Sequence, residues 1–225
     1  WRERVGGEKV LDRLIVAPPK KKTIMAIKAL IFDFGGVVMR TKGNGPRRYW
    51  KERLGMDEWD LARLVFGNPV ADRAMIGQAT DAEAWDYVRA ELGISEVEVN
   101  DVRDFFFSGD RIDLTLTDFV TARRGRYRTA ILSNAWLSAR QLFGLYPAVQ
   151  EAFEIWVISA EEGVAKPDAK IYQRTLARLA VEPSEAVFVD DFEENADAAQ
   201  ALGMHAIHFQ SDTDIAVEMT KLGVK

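Results

Sequence analysis

Cysteine is absent from the 225 residues of this chain. Its absence excludes disulfides, thiolate nucleophiles and cysteine-held metals. Histidine is nearly as scarce. His205 and His208 flank a candidate strand with no matching ligand set around them, so packing is their expected role. Long apolar runs are also missing. None approaches the roughly 18 residues that cross a bilayer, and the longest candidate, 29–39, is interrupted by Asp33. Nor is there a surplus of positive charge, since 30 Lys and Arg stand against 35 Asp and Glu for a formal net charge of −5. Nucleic acid and anionic membranes both demand a cationic surface, so neither is an expected partner. The cytoplasm is the expected compartment.

Apolar residues make up 48% of the chain, enough for one sizeable core with a smaller second unit. The first 24 residues differ from the rest, with seven Lys or Arg against three acids and the run Lys20-Lys21-Lys22 after Pro18-Pro19. They are expected to be a basic extension outside the fold, which begins after Met25.

Five short apolar runs, 28–34, 127–132, 154–159, 186–189 and 206–209, are rich in β-branched residues and bounded by polar or glycine signals. Near-continuous apolar character predicts strands buried on both faces of a parallel sheet. Helical patterns separate the last four. One spans 167–180, with a proline in its first turn, and another spans 193–202 and stops at Gly203. Strands alternating with helices predict an α/β fold, a doubly wound, Rossmann-like parallel sheet. Residues 42–108 break the alternation. They show no convincing strand but helical stretches at 47–54, 58–66, 81–92 and 95–107, which predicts an all-helical insertion between core segments 25–41 and 109–225. Within it, most of Tyr49, Trp50, Trp59, Trp85, Tyr87 and Phe105-Phe106-Phe107 are expected in a small bundle's core, the alternative for one or two being to face the cleft and grip a substrate.

In an open α/β sheet, chemistry collects at the C-terminal strand ends. The first strand ends in Asp33-Phe34-Gly35-Gly36, a carboxylate on a loop whose backbone can approach a ligand. The second ends in Ser133-Asn134, a hydroxyl and an amide. After the third comes Lys166-Pro167, a cation beside a helix start, and the fourth ends in Asp190-Asp191 with Asn195 one turn later. Each alone reads as a cap, a turn or a surface charge. Together, four consecutive strands bring carboxylates, a hydroxyl, an amide and an ammonium to one edge. Clustered carboxylates repel unless a cation relieves them, and all-oxygen donors suit Mg²⁺ with a phosphate beside it.

These four segments, in this order, resemble the motifs of the haloacid dehalogenase superfamily of hydrolases. The stretches 130–137, Lys166-Pro167 and 184–191 are similar to the branch containing the phosphatase domain of soluble epoxide hydrolases. The resemblance runs from about residue 26 to the C-terminus. It implies a Mg²⁺-dependent phosphatase acting on a small-molecule phosphate ester. Asp33 would attack phosphorus and form an aspartyl-phosphate. Asp33, the Gly35 carbonyl and Asp191 would hold Mg²⁺, with Asp190 assisting from behind. Ser133 and the Asn134 backbone would grip the transferring phosphoryl oxygens, Lys166 would neutralise charge and Asn195 would orient the Asp191 loop. The helical insertion would be a cap closing over the site.

One departure stands out. Most phosphatases of this family carry a second Asp two residues after the nucleophile as general acid and base, and here that position is Gly35. Two rival readings follow. A 2-haloacid dehalogenase would use Asp33 on carbon without a metal, but the paired Asp190-Asp191 favours phosphorus. A binding or regulatory module with decayed catalysis would not need to keep Asp33, Lys166 and Asp191 together. The tripeptide Asp33-Phe34-Gly35 also spells a kinase metal motif, but no kinase glycine loop or catalytic loop accompanies it. Arg40, Lys42, Arg47 and Arg48 form either a solvated basic face or an anion contact near the insertion's hinge.

Overall fold

Strand β1, Ala29–Phe32, is buried along its whole length and lies at the centre of a five-stranded sheet. The structure, a computed structural model, describes residues 26–41 and 52–225. The expected extension 1–24, Met25, Lys42, Arg47, Arg48, Tyr49 and Trp50 lie outside the described residues. The sheet is completed by β4, Arg128–Ser133, β5, Ile155–Ile158, β6, Ala186–Asp190, and β7, His205–His208, in the order β5-β4-β1-β6-β7. Every pairing is parallel. These strands match the five apolar runs to within two residues.

Both faces of the sheet are covered, and the side chains divide between them with period two. Leu30, Phe32, Ile131, Val187 and Val189 enter one buried cluster. Ala29, Ile31, Ala130, Leu132 and Phe188 enter the other, under the helix Ala169–Leu179. Asp168 caps that helix by accepting from the Lys170 N–H at 2.8 Å.

The structure adds two short strands at the edges of the insertion, outside residues 42–108, that the five apolar runs do not include. A short β2, Met39–Thr41, pairs antiparallel with β3, Asp110–Ile112, and closes the two ends of the insertion against each other. Three residues are too few to show a period, and a pairing across 69 positions leaves no local trace. Arg40 braces this neck. It makes an ion pair with Asp113 at 2.7 Å and lies 4.5 Å from the Phe209 ring centroid.

The insertion's described helices are α1, Glu58–Phe66, α2, Pro69–Met75, α3, Asp81–Leu92, and α4, Glu96–Phe107. Helix α2, unforeseen in the sequence, starts at the buried cap Asn68, which accepts from the Val70 and Ala71 N–H groups at 2.9 Å. Its seven residues are too few for a periodic signal. Ser95 is the cap of α4 rather than its first turn. Two aromatic expectations need correction. Trp59 is 62% exposed, and of the three consecutive phenylalanines only Phe106 is buried. Successive helical residues sit about 100° apart, so one face cannot take all three.

Among the described residues, no helix is long and apolar enough to cross a membrane.

Candidate active site

The four strand ends converge on one buried ammonium. Lys166, its side chain 1% exposed, places Nζ 2.9 Å from Asp33 Oδ1 and 2.6 Å from Asp190 Oδ2. Its backbone is held by Asn134, whose Oδ1 accepts from the Lys166 N–H at 2.8 Å while Nδ2 donates to the Lys166 carbonyl at 2.9 Å. The loop after β4 therefore fixes the lysine segment after β5. This use of the Asn134 side chain is not visible in sequence, because it spans 32 positions.

Asp33 continues the β1 ladder by donating its N–H to the Val189 carbonyl at 2.8 Å, and its carboxylate accepts from the Phe34 N–H at 2.7 Å. Asp190 is fully buried and fully engaged. One oxygen meets Lys166, while the other accepts from the Phe192 N–H at 2.8 Å and from Asn195 Nδ2 at 3.0 Å. Asn195 thus bonds Asp190 rather than Asp191. Its own carbonyl accepts from the Tyr172 hydroxyl at 2.9 Å. Asp191 differs from its neighbour, since its buried Oδ1 finds no hydrogen-bond partner among the described residues. Its carbonyl lies 3.1 Å from His208 Nε2, which puts one of the two histidines behind the site. Ser133 is buried at the end of β4.

Asp33, Asp190 and Asp191 each offer an oxygen within 4.8 Å of the others. Lys166 neutralises one of the three carboxylate charges and leaves two uncompensated. The electrostatics follow. Burial pushes the Asp33 carboxyl up to about 7, with Lys166 opposing and Asp190 reinforcing the rise. Burial, then Asp190, also raises Asp191. Carboxylates this close, one of them with a bare oxygen, are donors of the type that suits a hard divalent cation. The described residues fit such an ion.

The two glycines after Asp33 differ in what they permit. Gly36 has φ +74°, and a Cβ there would lie 2.1 Å from Asp191 Oδ2. A Cβ at Gly35 would meet nothing within 4 Å, and Gly35 is not among the positive-φ glycines. Gly36→Ala is therefore expected to destabilise by roughly 1–2 kcal/mol from the left-handed backbone alone, with the Asp191 clash added. Gly35→Ala is expected to stay within about 1 kcal/mol of the parent. Thermal melts of the two variants check this contrast, and equal melting temperatures would contradict it.

Residues 27–203 match the family described as haloacid dehalogenase-like hydrolase. The chain belongs to that family. It is 27% identical over 214 residues to bifunctional epoxide hydrolase 2 of Sus scrofa, across 86% of this chain and 38% of that protein. This chain thus spans well under half the length of that relative. It is 21% identical over 202 residues to D-ribitol-5-phosphate phosphatase of Bacteroides thetaiotaomicron, across 86% of this chain and 97% of that one. Among solved structures, a haloacid dehalogenase-family enzyme of Bacteroides thetaiotaomicron in complex with magnesium and inorganic phosphate superposes with a TM-score of 0.72 at 23% identity. That match covers 86% of this chain and 99% of the other. The doubly wound fold is that of the haloacid dehalogenase family, and the chain is a hydrolase of that kind.

Proposed function

We propose that this hydrolase is a magnesium-dependent phosphatase that cleaves a small phosphate ester through a phosphorylated Asp33. The single observation that carries the reading is Asp191 Oδ1, buried and without a partner beside Asp33 while Asp190 is saturated. A carboxylate used only as a helix cap would have its oxygens engaged. Asp191 Oδ1 has no such engagement among the described residues. The dehalogenase reading gives no use for it. The phosphatase relative and the magnesium-phosphate complex of the structural neighbour support the same chemistry.

Asp33, the Gly35 carbonyl and Asp191 would hold the ion, which when bound supplies the positive charge that the carboxylates and a phosphoryl group both lack. The chain's own residues then have separate tasks. An Asp33 oxygen attacks phosphorus as the bond from phosphorus to the leaving oxygen breaks. Lys166, 2.9 Å from that carboxylate, balances charge on the nucleophile and the transferring group. Ser133 and the Asn134 N–H lie on the neighbouring strand end to orient the phosphoryl oxygens. Water then attacks phosphorus, releases phosphate and restores Asp33. The helical insertion serves as a cap that excludes solvent and selects the leaving group.

Magnesium is expected to raise the melting temperature, because a ligand that binds only the folded state stabilises it by about 2.7 kcal/mol at 100 times its Kd. Asp191→Ala should remove most of that gain. The deciding experiment is turnover of p-nitrophenyl phosphate with Mg²⁺ and with chelator, paired with melts under both conditions. Metal-dependent turnover with a metal-dependent melt supports the reading. Identical behaviour with and without the ion would overturn it.

Gly35 sets a further expectation. A general acid or base contributes about 10²- to 10⁴-fold to a rate, and glycine supplies neither. The leaving oxygen must depart largely unprotonated, which favours aryl and acyl phosphates over alkyl esters. Gly35→Asp, placed in open space, is then expected to raise kcat for alkyl esters. Equal kcat for aryl and alkyl phosphates in the parent would contradict this.

A further inference from the structure

Trp136 belongs to one part of the molecule by chain and to another by packing. It lies in the loop that follows β4, three residues after Ser133 and two after Asn134. Its side chain, however, is buried in the hydrophobic cluster of the helical insertion, with Leu61, Val65, Val88 and Phe106. Its ring centroid is 5.7 Å from that of Phe66 and 6.2 Å from that of Trp85, the latter pair edge-on at 81°. A residue of the catalytic loop is thus part of the insertion's core.

The same loop is pinned from below. The Ser159 hydroxyl accepts from the Ala135 N–H at 2.9 Å and donates to the Ala135 carbonyl at 3.2 Å, and the Ala160 N–H reaches that carbonyl at 3.3 Å. Ser159 and Ala160 open the short helix Ser159–Glu162 that leads toward Lys166. The insertion touches this helix as well. A Cβ at Gly77, which has φ +70°, would lie 2.2 Å from the Ala160 carbonyl oxygen, so the turn before α3 packs directly on it. The insertion is therefore docked at two points, and both points bear on the segment carrying Ser133 and Asn134.

The indole N–H shows what kind of contact this is. Trp136 Nε1 is buried and has no hydrogen-bond partner among the described residues. Buried donors normally find one, and leaving one unmade carries a cost. Shape and apolar burial hold the ring in spite of that cost.

We propose that Trp136 is a positioning residue that couples the docking of the helical insertion to the placement of Ser133 and Asn134 around the phosphoryl group. The proposal rests on the phosphatase reading for its kinetic consequence, but its structural consequence stands apart. When the ring is seated, the loop is held between Ser159 below and the insertion above. When the ring leaves, the Ser159 contacts and the Asn134 clamp on Lys166 remain, and the support from the insertion is lost.

The test uses the full chain with Trp136→Phe and Trp136→Ala, p-nitrophenyl phosphate as substrate, inorganic phosphate as competitive inhibitor and backbone amide exchange on the same samples. Losing the ring is expected to raise both KM and the inhibition constant of phosphate by about 10- to 100-fold, since a displacement near 1 Å can cost that much. Phenylalanine keeps one aromatic ring in the seat while losing the second ring and the unpaired N–H, so it should hold both constants to within about threefold of the parent, a difference under 1 kcal/mol. A merely structural role would lower the folded fraction and scale the maximal rate without moving the inhibition constant. Exchange should accelerate at residues 135–139 together with residues 58–107 in the alanine variant. If that variant does not fold, Trp136→Leu takes its place in both arms. A folded variant with an unchanged inhibition constant, or faster exchange confined to the insertion, overturns the proposal. If the parent shows no metal-dependent turnover, the phosphatase reading fails, and the exchange arm alone then decides whether Trp136 couples the two parts.

Discussion

Asp33→Asn is expected to lower kcat on the order of 10⁵-fold or more while leaving the fold intact, as removal of a covalent nucleophile does elsewhere. The size follows from the role. No other described carboxylate is both adjacent to Lys166 and free of the saturating contacts that occupy Asp190. The fold should survive for a local reason. An asparagine oxygen can still accept from the Phe34 N–H, and the β1 ladder bond to Val189 belongs to the backbone. The substitution also removes a carboxylate whose ionised form burial disfavours. Circular dichroism and thermal melts should therefore stay close to the parent while turnover vanishes. Parent-like kcat would take Asp33 out of the mechanism, and collapse of the fold would make it a structural residue.

Lys166→Met should act on stability as well as on rate. Lys166 is the sole partner of Asp190 Oδ2 among the described residues, and both side chains are almost wholly buried. Removing one member of a buried pair strands the other charge, at a cost of roughly 3–5 kcal/mol. In a chain of 225 residues that corresponds to a fall in melting temperature of roughly 6–20 °C. Adding Asp190→Asn removes the stranded charge, so the double variant should recover much of the lost stability without recovering activity. That separation is the purpose of the double-mutant cycle. A divalent cation should also soften the single variant's loss, because it offsets the same uncompensated carboxylates. A single variant that melts like the parent in chelator would contradict the charge balance drawn here.

How much of this the sequence discloses depends on whether a feature is local. The five core strands are legible because burial on both faces makes each a continuous apolar run, and Asp33, Ser133, Lys166 and Asp190-Asp191 are legible because a parallel sheet gathers its strand ends at one edge. Features made by distant pairing are not. The β2–β3 neck joins residues far apart in the chain and is too short to be periodic. The expected phosphoryl contact of Asn134 is its backbone, and nothing local shows that its side chain clamps the Lys166 backbone. Asn195 lies one turn after Asp190-Asp191, but only the structure distinguishes which carboxylate it bonds. Trp136 has the composition of a core residue and no signal that the core is the insertion's. Trp59 misleads in the opposite direction, because an amphipathic helix can carry a tryptophan on its wet face. Gly35 and Gly36 look alike in sequence, and only the space around each tells which one must be glycine.

The central claim is a covalent phosphoryl group on Asp33, and rapid acid quenching tests it most directly. With labelled aryl phosphate and Mg²⁺, formation of the intermediate should outrun its hydrolysis, since Gly35 offers no base to activate water. The expected result is near-stoichiometric label on the peptide that contains Asp33, absent from Asp33→Asn. Substrate turnover with no protein-bound label at any quench time, or with label on a different peptide, would contradict the account.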